Sequence, residues 1–312
     1  MSVANKSDED SDQVGRWLAE IALDSPDTTS MHILGWRLTP VSQRPPLGQY
    51  IKRTWNRRHF ILADARARAF QSSRGTLLGR TWLVVSPFLN AMVYYLIFGV
   101  VLHTNRGIEN FPAYLVIGVN FFAILRVSLA SGSAVLTTKV SQNLMKSFSF
   151  PRISMVIAWS IRQFLDFLPS FVATIVFIIA MPPHELPRLE WLLIVPVVAC
   201  GFVLALGIAL VAGVLTSILP DLKFIWPLVS RFWFYASGVF FSINIMQDLP
   251  AIKPFMEVNP GYVFLSMSRD LLIYQTIPTL TSWIYLAAWA FLSLGIGVLL
   301  FWMREDSYGR QR

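Results

Sequence analysis

Arg126, Arg162, Asp166 and Arg231 are ionisable residues set inside long apolar runs. An ionised group deep in a bilayer is costly unless it meets water or a partner, so such residues mark either paired charge or a polar path. Arginine stays charged and grips phosphate oxygens in pairs, which suits Arg126, Arg162 and Arg231 to a phosphate-bearing cargo. Arg162 and Asp166, however, stand at the i, i+4 spacing of one helix face, where they can neutralise each other. For that pair both readings stay open.

Aromatic residues crowd two of the apolar runs: Tyr94, Tyr95, Trp233, Phe234, Tyr235, Phe240 and Phe241. Tyr94, Tyr95, Trp233 and Tyr235 could offer a sugar polymer a face to slide over. Contact with lipid and anchoring at the interface are the competing explanation.

Signals for chemistry carried out by the chain itself are weak. Gly75 to Thr81 reads GTLLGRT and echoes a phosphate-binding loop, but the glycines are too close, Arg80 stands where lysine belongs and no buried strand precedes it. His32, His59, His103 and His184 are scattered, without the i, i+4 pairing of a zinc helix. The acids at Asp8 to Asp10 lie in a polar tail that cannot hold catalytic geometry, and the single Cys200 rules out an intrachain disulfide. The expectation is no catalytic residue, no metal and no cofactor on this chain.

These residues need apolar elements to position them. The composition is 54% hydrophobic and 14% charged, with a mean hydropathy of +0.53, too apolar for a soluble fold of this size. From Leu83 to Leu102 there is no charge, and about 20 such residues span a hydrocarbon core of roughly 30 Å. Further runs cover Phe111 to Leu136, Ile153 to Met181, Trp191 to Leu219, Phe224 to Ile245 and Thr279 to Met303. The expected architecture is therefore an all-α integral membrane protein of six transmembrane helices. Met246 to Pro278, broken by Pro250, Pro254 and Pro260, is expected to form re-entrant helices between spans five and six.

Ahead of the spans, Leu47 to Phe70 alternates apolar Ile51, Trp55, Leu62, Ala65 and Ala69 with basic residues at helical spacing, the pattern of a helix lying in the headgroup plane. A soluble amphipathic helix docked on a partner is the alternative. The chain thus divides into a mobile cytoplasmic extension over 1–46, an amphipathic interfacial segment over 47–80 and a transmembrane domain over 81–312.

The net charge of +8 lies largely on the membrane approach: ten Lys or Arg between Arg37 and Arg80 against one acid, Asp64. Anionic lipid explains it better than nucleic acid. The same bias puts both termini in the cytoplasm.

Arg74-Gly75-Thr76, Leu78-Gly79, Trp82 and Pro87 together resemble the start of the first span of ABC-2 type permeases, above all exporters of lipid-linked polysaccharide such as O-antigen, teichoic acid and cell-wall galactan. Phe111 to Gly118, Phe150-Pro151-Arg152, Pro220 to Lys223 and Asn259-Pro260 follow in similar order and spacing. The resemblance implies the membrane half of a homodimeric exporter in a bacterial inner membrane, with ATP and magnesium held by two copies of a separate ATPase. It also implies that Lys139 to Arg152, including Lys146, Phe150 and Pro151, couple to that ATPase. Pro250, Pro254, Asn259 and Pro260 would then belong to an extracellular gate. Competing readings are an exporter of a small drug or lipid, and a membrane-embedded glycolipid enzyme or scaffold.

Overall fold

The computed structural model describes residues 31–33, 36–38, 46–69, 79–101, 108, 110–137, 151–180, 187–241 and 252–305. The chain forms two compact units, residues 1–45 with 306–312, and Pro46–Glu305. In the first unit β1 (Met31–Ile33) pairs antiparallel with β2 (Trp36–Leu38), setting His32 opposite Arg37.

The second unit is helical. Its elements are α1 (Leu47–Asn56), α2 (Arg58–Arg68), α3 (Trp82–Tyr94, continuing as a π-helical stretch Tyr95–Val101), α4 (Phe111–Thr137) and α5 (Ile153–Ala180). After these come α6 (Ile194–Ile218), α7 (Leu222–Ala236), α8 (Ile252–Glu257), α9 (Pro260–Leu272) and α10 (Leu280–Arg304).

The six-span expectation is overturned. Among the described residues, four helices are long and apolar enough to cross a membrane: Phe111–Val135, Ile153–Ala180, Leu189–Ile218 and Leu280–Arg304. At 1.5 Å per residue, the 13-residue α3 rises only about 20 Å before its hydrogen bonding changes to the π pattern. The expected span over Phe224 to Ile245 is the 15-residue α7, which stops at Ser237 because Gly238 adopts a positive φ of 65°.

Nor is there a re-entrant helix among the described residues. The segment holds the six-residue α8 and the 13-residue α9, whose Val263, Phe264, Leu265, Met267, Leu271 and Leu272 are buried in the main hydrophobic core. Pro260 opens α9 while Pro254 sits inside α8, and packing against protein decided what α9 became.

The amphipathic segment also differs from one continuous helix. It breaks at Arg57 into α1 and α2, with Tyr50, Ile61, Ala65 and Ala69 buried. Ile51, Trp55 and Leu62, expected on the same apolar face, are exposed.

α6 is the central helix, packed between α4 and α10. Small residues allow this closeness: a Cβ on Gly132 of α4 would collide with the backbone of Ala209, and one on Gly297 of α10 would sit 2.8 Å from Leu210 Cβ. Gly201 accommodates the Phe264 ring of α9. Asn110 caps α4, its Oδ1 accepting from Ala113 N at 3.2 Å, and Thr279 caps α10 by accepting from Ser282 N at 3.3 Å.

Candidate functional site

The aromatic residues converge. Tyr94, from the end of α3, meets Phe240 at 4.8 Å and Phe234 at 6.0 Å between ring centroids. Phe234 in turn contacts Tyr235 and Phe240, and Phe122 of α4 bridges Trp233 and Phe234. Tyr94, Trp233 and Tyr235 therefore share one cluster, with Tyr235 at its exposed edge. Tyr95 departs from it and lines an apolar groove of about 500 Å³ with Phe88, Leu89, Val116 and Phe177.

The arginines do not share one environment. Arg126 is exposed on α4, in register with exposed Ala130 and Ala134. Arg231 is exposed on α7, beside Leu228, Phe232 and Tyr235 on the same open face. Arg162 is half-buried and pairs with Asp166 at 3.5 Å.

At the C-terminal end of α7 a polar knot ties it to α9. Asn259 caps α9 through Gly261 N at 2.9 Å, and the same Oδ1 accepts from Trp233 Nε1 at 2.7 Å. Its amide nitrogen donates to Ala236 O and to Ser237 Oγ, each at 3.1 Å. Pro260 opens α9, where its missing N–H costs nothing. Pro254 is exposed on α8, and Pro250 lies outside the described residues.

Arg269, 2% exposed, completes this corner. It donates to Gly238 O at 3.0 Å, Val239 O at 3.2 Å and Tyr114 O at 3.5 Å, with the guanidinium 3.4 Å from the centroid of the Tyr114 ring. The Tyr114 hydroxyl donates to Phe241 O at 2.7 Å, so the turn after α7 is held from two helices.

A second knot joins the lead-in helix, α5 and α10. Glu305 accepts from the Tyr50 hydroxyl at 2.9 Å and from Arg152 N at 3.2 Å, and Arg152 Nη1 donates to Glu305 O at 2.6 Å. Pro151 and Arg152 are half-buried here. Lys139, Lys146 and Phe150 lie outside the described residues.

The profile of the ABC-2 type transporter family matches residues 65–273, two thirds of the chain. The chain belongs to that family. The permease is 22% identical over 239 residues to the O-antigen export system permease protein RfbA of Myxococcus xanthus, covering 77% of this chain and 87% of that one. It is 23% identical over 205 residues to the RfbA protein of Klebsiella pneumoniae, covering 65% and 76%. To the polysialic acid transport protein KpsM of Escherichia coli it is 22% identical over 231 residues, covering 74% and 87%.

The matched region of the permease runs from α2 to the end of α9, so it takes in the aromatic cluster, all three arginines and the Arg269 corner. Among the described residues, no group of three or more His, Cys, Asp or Glu could hold a metal ion. Arg269, Tyr114 and Glu305 escaped the sequence reading. For Arg269 a signal existed, a lone cation in the mostly apolar stretch Tyr262 to Leu272, though Asp270 beside it suggests a simple charge pair. For Glu305 there was none, because its partners lie 153 and 255 residues away.

Proposed function

We propose that the permease is the membrane-spanning half of a homodimeric ABC exporter that carries a polyprenyl-pyrophosphate-linked polysaccharide out across a bacterial inner membrane. The work would come from two copies of a separate ATPase holding ATP and magnesium. The observation that carries this reading is the similarity to O-antigen and polysialic acid permeases over most of their lengths.

The geometry supports it in three ways. Exposed apolar residues on α3 (Leu89, Met92, Val93) and on α7 (Phe224, Leu228, Phe232) leave apolar faces uncovered among the described residues, suited to a second copy lining a shared path. Arg126 and Arg231, exposed among apolar residues, could receive the pyrophosphate, while Arg162 with its Asp166 partner is the weaker candidate. Tyr94, Trp233 and Tyr235 give aromatic surface for a glycan beside Arg231.

The coupling surface is proposed for Lys139 to Arg152. The Glu305 knot supports it, because it ties Arg152 to α1 and to the end of α10 and so requires those three points to share one face of the membrane. The basic residues of the lead-in support a cytoplasmic side for that face, and both termini are proposed to lie there too. The extracellular gate is proposed around Asn259 and Pro260, with Pro250 and Pro254 on its approach.

Depleting the permease in cells tests the reading: lipid-linked glycan should accumulate inside, and a nucleotide-hydrolysing subunit should co-purify with the chain. Arg126→Gln and Arg231→Gln should each lower export with folding intact. Normal glycan export after depletion would overturn the reading.

A further inference from the structure

Ahead of α3, the helices α1 and α2 carry a surface with no part in the proposed export path. Viewed down α1, at 3.6 residues per turn, the side chains sort into three sectors. Tyr50 is buried against the bundle. Leu47, Ile51 and Trp55, each four residues from the next, form an exposed stripe about a quarter turn away, with Trp55 68% exposed. Lys52 and Arg53 take the remaining sector and are exposed as well.

Two contacts set where this surface lies. The Tyr50 hydroxyl donates at 2.9 Å to Glu305, the residue that follows α10, so α1 is level with the end of a helix long and apolar enough to cross a membrane. α2 packs on α5, with Ile61 and Ala65 buried. The pair is thus docked on the bundle at the depth where hydrocarbon gives way to water, and the apolar stripe of α1 is left uncovered among the described residues.

Charge decides what covers it. Over 46–69 the cations Lys52, Arg53, Arg57, Arg58 and Arg66 are exposed, and none of them meets a carboxylate among the described residues. The one acid of the segment, Asp64, is taken by Arg68 at 2.7 Å. Arg57 closes α1, and the Arg58 guanidinium lies over the Trp55 ring, 5.7 Å from its centroid. Two cations therefore stand at the end of the apolar stripe, beside the kind of ring that membrane interfaces favour. Water does not suit exposed Leu47, Ile51 and Trp55, and a neutral apolar surface does not suit the cations. The headgroup zone of an anionic bilayer, apolar beneath and negative at its rim, suits both.

We propose that α1 and the break at Arg57 form a binding surface for anionic phospholipid, with Leu47, Ile51 and Trp55 among the acyl chains and Arg57 and Arg58 on the headgroup phosphate. The chemistry recognised is a phosphodiester whose headgroup adds no positive charge. Phosphatidylcholine carries the same phosphate but offsets it with its own ammonium. The surface is independent of the cargo, so its test needs neither glycan nor ATPase.

The purified full chain is placed in nanodiscs of mixed phosphatidylcholine and phosphatidylglycerol. Trace phosphatidylglycerol or phosphatidylcholine bearing the same acyl-chain diazirine is photolysed, and labelled peptides are mapped by mass spectrometry. The phosphatidylglycerol probe should label the 47–58 peptide at least about five-fold above the phosphatidylcholine probe, the effect of one basic residue at an anionic surface. High salt should shrink that ratio.

Arg57→Gln combined with Arg58→Gln should remove most of the preference while the unfolding temperature in phosphatidylcholine alone holds. Lys223→Gln, which removes an exposed cation of α7, should leave the preference intact. Trp55→Gln should lower labelling by both probes. Equal labelling of the peptide by the two probes in the unaltered chain, or an undiminished preference in the double variant, would overturn the proposal. A peptide that neither probe labels would assign this face to a protein partner and overturn it too.

Discussion

A guanidinium withdrawn from water must find acceptors, and Arg269 finds three backbone carbonyls from two segments. Arg269→Leu would strand those carbonyls in a buried corner. It should destabilise the permease by about 3 kcal/mol or more, read as a lowered unfolding temperature in detergent. Arg269→Lys keeps the charge but loses the planar fork, so it should recover only part of that loss.

The neighbouring Asp270 supplies a pH dependence. Burial pushes its carboxyl up to about 6 from the usual 3.8, against the opposing pull of Arg269. The folded chain therefore holds this proton more tightly than the unfolded chain does. The contribution of Asp270 to stability is unpenalised below about pH 4, worsens as pH rises from 4 to 6, and is least favourable above 6. Two units at 1.36 kcal/mol each bound the effect at about 3 kcal/mol. Asp270→Asn should flatten the unfolding temperature across that window and raise it at pH 7. An unchanged pH profile in the variant would refute the assignment.

At the scale of elements, the Glu305 knot links three pieces that sequence separates widely: α1, the start of α5 and the end of α10. Rigid helices joined by charged hydrogen bonds move together, so, on the coupling role proposed for Lys139 to Arg152, the knot is suited to carry a push from there to α10. Glu305→Gln should preserve assembly but reduce glycan exported per ATP hydrolysed by the reconstituted complex. Tyr50→Phe, losing one hydrogen bond, should cost about 1 kcal/mol of stability and a smaller share of the coupling. The α4 and α6 contact is less forgiving. Gly132→Leu should abolish folded protein on size-exclusion chromatography, since the added side chain runs into the backbone at Ala209 and no rotamer avoids it.

At the scale of the whole molecule, the knot fixes sidedness. In a Cys200→Ser background, cysteines introduced by Lys52→Cys and Arg304→Cys should both react with an impermeant maleimide from the same side of the membrane. Reaction from opposite sides would break the topology proposed above.

Long apolar runs with at most two charges each made α4, α5, α6 and α10 legible, because hydrocarbon tolerates little else over that length. The same criterion failed for Leu83 to Leu102 and Phe224 to Ile245, because apolarity does not show where an α-helix ends: the first changes to the π pattern at Tyr95 and the second stops at Ser237. The aromatic cluster was half legible: residue type singled out Tyr94 and Tyr95 alike, but the ring contacts separated them.

Sequence by itself determined the membrane class, the apolar segments, the family resemblance and the basic lead-in, all of which depend on local composition or on ordered motifs. Only the tertiary structure decided that, among the described residues, two of the apolar runs hold α-helices of only 13 and 15 residues, that Arg162 and Arg269 have such different partners, and that Glu305 joins α1, α5 and α10. These facts depend on which distant backbone atoms come within about 3 Å of a side chain, and no local pattern in the chain encodes that distance.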